Sequence, residues 1–178
     1  MMNRSMRALV AAFLISMTSM PGAFSHEMKI GDLLLTDLWS RATPTGAKVG
    51  AAYLTIENKG NAPDRLIETT SPVAHADVHE MATVDGVMRM RPLGEGVVIP
   101  PGQKVTFGPG GYHIMMTELK GPLKEGELLH VKLRFEKAGE VDATFHVRSV
   151  GAQGPATGGG QAGQGDGMAA HGHSGGTK

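Results

Sequence analysis

Hydrophobic and polar positions alternate over short runs between Ile30 and about Val150, and no apolar stripe repeats at the spacing of a helix. The run from Val131 to Phe135 is the clearest case, because apolar and charged residues exchange at every step. Side chains of a strand point alternately to its two faces, so this run predicts one buried and one solvated face. Nine runs are strand candidates: Leu33 to Ser40, Ala51 to Asn58, Arg65 to Thr70, Ala76 to Ala82, Val87 to Arg91, Lys104 to Phe107, Tyr112 to Leu119, Leu128 to Glu136 and Asp142 to Ser149.

The segments between these runs are rich in glycine, proline, asparagine and aspartate, which favour turns. Asn58 to Asn61, Val84 to Gly86 and Gly108 to Gly111 are three such segments, and Asp85-Gly86 is typical of a hairpin tip. Many short strands at this spacing predict an all-β domain with little helix. We expect a β-sandwich or a Greek-key barrel.

The two ends of the chain differ from this β-rich part. Residues 1–25 have a basic start, an apolar run and a small-residue end, which is the pattern of a secretory signal peptide. The apolar run is shorter than the about 20 residues that span a bilayer, so we expect cleavage after Ser25 and no membrane span in the mature form. Residues 26–150 are the predicted β-domain. Residues 151–178 are Gly-rich and poor in large apolar residues, which predicts a flexible tail.

The net charge and the absence of cysteine limit the partners and the metal sites that the chain can have. Without residues 1–25 the chain has 15 basic and 17 acidic residues, a net charge of −2, which argues against nucleic acid as a partner. The chain contains no cysteine, so thiolate metal sites, cysteine nucleophiles and blue-copper electron transfer are excluded. A site for a soft metal would therefore have to use methionine sulfur.

Methionine and histidine concentrate in one part of the chain, since five of the seven methionines of the predicted mature form fall in residues 81–116. In the predicted hairpin, His79 and Met81 are two apart on one arm, and Met88 and Met90 are two apart on the other. Residues two apart share a face, and residues opposed across a hairpin have Cβ atoms about 5 Å apart. The two arms can therefore contribute ligands to one metal ion.

A second segment places His113 and Met115 two residues apart, and hence on one face of a strand. Imidazole with thioether favours copper(I), because calcium and magnesium prefer oxygen and zinc prefers thiolate, imidazole and carboxylate. We predict a copper(I) site formed by His79, Met90, His113 and Met115. The neighbouring methionines and the other histidines of the domain have a more ordinary explanation, as core-filling, surface or hydrogen-bonded residues. They are Met81, Met88, Met116, His75, His130 and His146.

These residues resemble the motif of periplasmic copper chaperones of the PCuAC family, written H(M)X10MX21HXM. Ten residues separate His79 from Met90, and His113-Ile114-Met115 matches HXM. Trp39 to Pro44 and Gly86 to Pro92 are also similar to the family. The resemblance extends over most of the predicted β-domain.

The chain departs from this motif in its spacing. Between Met90 and His113 lie 22 residues, where the family motif has 21. We expect the extra residue in the loop Leu93 to Gly96, where an insertion costs little and leaves the strands in place. The bracketed methionine is also displaced, because Glu80 follows His79 and Met81 comes next.

The resemblance implies a cupredoxin-like fold, a periplasmic location and an exposed copper(I) site. It also implies two partners: a Sco-type thioredoxin-fold protein, and cytochrome c oxidase subunit II, whose binuclear copper site the family helps to assemble. A periplasmic copper sequestration or resistance protein would use the same ligands and is the alternative. We expect a monomer that is not an enzyme.

The ends of the chain suggest a second metal site. Cleavage after Ser25 would leave His26 at the N-terminus, with its α-amine beside an imidazole, and both are copper(II) donors. Some members of the family carry a His- and Met-rich C-terminal extension that takes up copper(II), and the tail of this chain is similar. The hypothesis is a copper(II) site drawn from His26, Met168, His171 and His173.

Overall fold

The computed structural model describes residues 27–155, which form eleven β-strands and no helix. This part of the chain therefore contains no helix that could cross a membrane. The strands are β1 (Met28–Ile30), β2 (Leu33–Arg41), β3 (Gly50–Asn58), β4 (Asp64–Thr70), β5 (His75–Val84), β6 (Val87–Pro92), β7 (Val97–Ile99), β8 (Lys104–Phe107), β9 (Tyr112–Thr117), β10 (Leu128–Phe135) and β11 (Gly139–Arg148).

All of these strands belong to one hydrogen-bonded sheet. Its order is β6-β5-β9-β8-β3-β2-β11-β10-β4-β7, with β1 paired to β2, and β9 pairs with β3 as well as with β8. Among the described residues the pairs are antiparallel, apart from β2 with β11 and β8 with β9. The sheet is open, and β6 and β7 lie at its two ends.

The sheet curls around a single hydrophobic core. The Asn58 side-chain amide donates to the carbonyl oxygen of Ile99 at 3.0 Å, which holds β3 to β7 although the two strands are far apart in the sheet order. Each large apolar side chain that is buried in this core contributes about 1.5–3 kcal/mol to the free energy of folding. The most completely buried ones are Phe107, Phe135, Phe145, Leu33, Leu35, Leu54, Ile56, Leu66, Ile99, Ile114, Met116 and Leu119.

The predicted all-β class is confirmed, and each of the nine predicted runs contains an observed strand. In β10 the alternation has the expected result, because Val131, Leu133 and Phe135 are all buried. The strands β1 and β7 were not predicted. Each has three residues, which is too few for alternation to be visible in a sequence.

The β5–β6 hairpin follows from its two-residue turn. Asp85 has a φ of 52° and Gly86 a φ of 75°, and left-handed backbone at both positions is the geometry that matches the twist of a hairpin. The paired ladder runs from Val84 opposite Val87 back to His79 opposite Pro92. Pairing on one side only makes β6 an edge strand, and every residue of it is exposed.

The turn after β6 provides a test of how the hairpin is attached to the core. Gly96 has a φ of 75°, and a Cβ atom added there would collide with the carbonyl oxygen of Leu66. Gly96→Ala should therefore lower the free energy of unfolding by more than about 2 kcal/mol, measured by urea denaturation. Gly94→Ala is the control, because a Cβ atom there meets nothing within 4 Å. Equal stability of the two variants would contradict this account of the turn.

Candidate metal centre

Two strand pairings assemble the candidate ligands. The pairing of β5 with β9 places His79 directly opposite His113, and the pairing of β5 with β6 places Met81 directly opposite Met90. Met115 follows His113 by two residues and so shares its face of β9. Opposed positions have Cβ atoms about 5 Å apart, so each of these two pairs is close, and imidazoles and thioethers from three strands lie on one face of the sheet.

This cluster lies on the face of the sheet that points away from the core. Val78 and Ile114, the chain neighbours of His79 and of His113, are buried in the core, and strand alternation directs the histidines to the other side. An open cavity of about 410 Å³ occupies that side. Met81, Met90, His113 and Met115 are among the residues that line it.

The His113 imidazole is held in a single orientation. Its side chain is buried, with 5% of its surface exposed, and its Nδ1 lies 3.1 Å from the carbonyl oxygen of Gly111. A carbonyl oxygen only accepts, so this hydrogen bond needs the proton on Nδ1 and leaves the Nε2 lone pair free. Metal-binding histidines commonly donate their other N–H in this way. The same carbonyl accepts the Met81 N–H at 3.1 Å, which ties the imidazole to β5.

The second imidazole is that of His79, and one of its ring nitrogens is buried. His79 Nδ1 is buried and has no hydrogen-bond partner in the described part of the chain. The two rings are 6.0 Å apart between centroids and tilted by 41°. Burial lowers the pKa of His79 and the nearby His113 imidazole lowers it further, against the opposing effect of Asp77. At neutral pH His79 is therefore an uncharged imidazole with a lone pair available to a metal ion.

The candidate sulfur ligands differ in exposure, and His79 is half-buried as well. Met90 has 46% of its surface exposed, whereas Met81 and Met115 are half-buried. No group of three or more His, Cys, Asp or Glu residues with metal-binding geometry occurs within residues 27–155. The donor set is thus imidazole nitrogen and thioether sulfur, which fits soft copper(I) and does not fit calcium, magnesium or zinc.

The opposite wall of the cavity is aromatic and cationic. The Trp39 and Tyr53 rings lie 4.5 Å apart, and the Arg41 guanidinium lies 5.8 Å from the Tyr53 ring centre. Arg41 Nε also donates to the carbonyl oxygen of Ala152 at 2.7 Å. Burial raises the pKa of Tyr53, and Arg41 opposes this effect. The motif residues do not reveal this wall, because it is formed by distant strands.

The structure places the four residues of the predicted copper(I) site on one face of three strands, although 22 residues separate Met90 from His113. Met90, His113 and Met115 line the cavity, and His79 lies directly opposite His113 without lining it. The strand that carries His113 lies along the β5 arm of the hairpin and not at its tip. His26, Met168, His171 and His173, the predicted copper(II) ligands, lie outside the described residues.

The methionines considered as core residues divide into three cases. Met116 is fully buried and does fill the core. Met88 is 65% exposed, so a core role for it is wrong. Met81 faces the cavity opposite Met90 and was missed as a candidate ligand, although its spacing of two residues from His79 places it on the same face.

The histidines set aside do not line the cavity. His75 is exposed, and its Nε2 lies 2.7 Å from a carboxylate oxygen of Asp77. His130 is exposed, and its Nδ1 lies 3.4 Å from the Thr144 hydroxyl. His146 lies on β11 opposite Trp39.

Known proteins of similar sequence include a family of lipoproteins. The model of the LpqE-like lipoprotein family matches residues 33–147. Lxx21020 of Leifsonia xyli subsp. xyli (strain CTCB07), which carries a lipoprotein name, is 32% identical over 140 residues, or 75% of this chain and 83% of that protein.

Solved PCuAC domains share the fold. The apo PCuAC domain from PmoF1 is 32% identical with a TM-score of 0.60, over 70% of this chain and 99% of that one. The copper-bound PCuAC domain from PmoF2 is 27% identical with a TM-score of 0.58, over 70% and 98%. The copper(I) form of DR1885 from Deinococcus radiodurans is 26% identical with a TM-score of 0.50, over 72% and 83%. The expected cupredoxin-like fold is confirmed.

The environment of His79 has a measurable consequence in the metal-free protein. An NMR titration should place its pKa below the ordinary value of 6.5, because burial disfavours the charged ring. His113→Asn should raise that pKa only in part, since it removes the neighbouring imidazole but leaves most of the burial. The stability linked to His79 is complete above pH 6.5 and is lost as the pH falls through its folded-state pKa. A pKa at or above the ordinary value would contradict the geometry described.

Proposed function

Because the chain belongs to the LpqE-like family, of the PCuAC type, we propose that it is an exported copper chaperone. It binds copper(I) through His79, Met90, His113 and Met115, and passes the ion to another protein. Copper is the cargo of this protein, and no chemical conversion is involved.

The observation that carries the proposal is the register of β5 between β6 and β9. This register sets His79 opposite His113 and places Met90 and Met115 on the same face, where both line one open cavity. The buried Nδ1 of His79 and the free Nε2 of His113 are the two nitrogen donors that such a site requires. Further support comes from similar solved structures that are described as copper-bound or in the copper(I) form.

Release follows from the difference in exposure within the site. His113 is buried and hydrogen-bonded to Gly111, so it keeps its position while other ligands exchange. Met90 is nearly half exposed, and a neutral thioether is a weaker donor than imidazole or thiolate. The thiolate or imidazole of an acceptor therefore displaces Met90 first. The acceptor is then bound to copper before the remaining ligands dissociate.

The proposal extends to location and partners. A lipoprotein-like family agrees with an exported protein, and the signal peptide expected in residues 1–25 would direct this one to the periplasm. The proposed acceptors are a Sco-type protein and subunit II of cytochrome c oxidase, for assembly of its binuclear copper site. A separate copper(II) site drawn from His26, Met168, His171 and His173 would gather copper(II) at the chain ends.

The ligand assignment can be tested by competition with a copper(I) chelator. His113→Ala combined with Met115→Ala removes two of the four donors. The copper(I) affinity should therefore fall by more than the roughly 10- to 100-fold that is expected when only a hydrogen-bond partner of a ligand is lost. The matched control combines His130→Ala with Met28→Leu, which also removes one imidazole and one thioether but away from the cavity. Equal affinity of the two double variants would refute the site.

Delivery is distinguished from sequestration by transfer kinetics. Copper(I)-loaded protein is mixed with the soluble domain of cytochrome c oxidase subunit II, and the NMR spectrum of the acceptor is followed, because copper(I) gives no visible absorption. If acceptor ligands displace Met90 directly, the transfer rate should rise with acceptor concentration. Retention of copper at equal protein concentrations would instead favour a sequestration protein, and a rate independent of the acceptor would contradict ligand displacement.

A further inference from the structure

The outer part of the β5–β6 hairpin carries more thioether sulfur than the four-ligand site uses. Met81, Met88 and Met90 all project from one face of the two arms, and this set is called the methionine face. The face continues from the cavity, where Met81 and Met90 lie, towards the hairpin tip, where Met88 is 65% exposed. A methionine that is 65% exposed contributes little to a core, and exposed apolar residues concentrate in this part of the hairpin, since Val84, Val87 and Met90 are exposed too.

The register places these three sulfurs within reach of one ion. Met81 is directly opposite Met90, and Met88 is opposite Thr83, so Met88 is the diagonal neighbour of Met81. Direct neighbours lie about 5 Å apart at Cβ and diagonal ones roughly 7–8 Å apart, a gap that long side chains close. Methionine is unbranched and flexible, so three such chains can converge on a single soft cation.

The chemistry of the face suits copper(I) as well as its geometry does. The charged residues of the hairpin arms, Glu80, Arg89 and Arg91, point to the other face by strand alternation, and Arg91 forms an ion pair with Glu80 at 2.6 Å. The methionine face itself therefore presents neutral sulfur and the hydroxyl of Thr83. Hard cations find no oxygen-rich site there, whereas a soft monovalent ion finds three thioethers.

We propose that Met81, Met88 and Met90 form a second, weaker copper(I) site through which the ion reaches the four-ligand site. Met90 belongs to both sites, so copper is never released between them. Bonds from copper to Met115 and to the imidazoles of His79 and His113 form as the bonds to Met88 and Met81 break, and the ion stays copper(I) throughout. This inference rests on the proposed function for its destination, but the thioether site itself can be tested alone.

The first experiment isolates the thioethers. His79→Ala combined with His113→Ala removes the nitrogen donors, and copper(I) is added without oxygen to protein labelled at its methionine methyl groups. The NMR signals of Met81, Met88 and Met90 should shift together. Adding Met88→Leu should weaken this residual binding by about tenfold or more, whereas adding Met28→Leu should not. Signals of Met88 that stay unmoved would overturn the proposal.

The second experiment uses the protein with all four ligands in place, so it decides the matter even if the double variant does not fold. Met88→Leu should leave equilibrium copper(I) affinity within about twofold but slow loading from a small copper(I)–chelator complex severalfold. Unchanged loading would overturn the proposal. If Met88→Leu slows only the transfer of copper to a protein acceptor, Met88 is a docking residue, and this result would also overturn the proposal.

The two proposals fail in different ways. Absence of tight copper(I) binding in the unaltered protein, with the weak binding of the double variant intact, would refute the four-ligand site only. The opposite result is also possible: the unaltered protein binds copper(I) tightly, Met88→Leu loads at the same rate, and the double variant shows no residual thioether binding. That result would refute the methionine face only.

Discussion

The whole site depends on the register of β5. This strand pairs with β6 on one edge and β9 on the other, and both registers must hold for His79 to face His113 while Met81 faces Met90. A slip by one residue would turn Val78 outward and His79 into the core, which burial of apolar area strongly opposes. The hydrophobic core therefore determines the metal site, although the two lie on opposite faces of the sheet.

Placing a site on the outer face of a sheet resolves a conflict between rigidity and access. The imidazoles are held by a backbone that is buried on its other side, and the Gly111 carbonyl sets the ring of His113. The thioether of Met90 comes from an edge strand with little cover, so it can move. In the proposed site, the buried imidazole of His113 would hold one ion in place, while the exposed thioether of Met90 would leave one side of the ion accessible.

Much of this arrangement could be predicted from the sequence, because alternation is a local signal. It located nine strands and the Asp85-Gly86 hairpin, yet it missed β1 and β7, which have three residues each. Alternation also places Met81 beside His79, but only the pairing with Met90 shows that it faces the cavity. Pairing between distant strands, such as β5 with β9 or the wall around Tyr53, depends on packing of the whole core and leaves no local pattern.

The exposure of Met90 affects more than metal exchange. A chain without cysteine cannot lose its ligands to disulfide formation, but an accessible thioether can be oxidised to the sulfoxide, which is polar and no longer a soft donor. Met90, at 46% exposure, is open to this reaction, whereas Met116 in the core is fully shielded. At the site proposed above, oxidants would therefore weaken copper binding without unfolding the domain, and enzymatic reduction of the sulfoxide would restore the ligand.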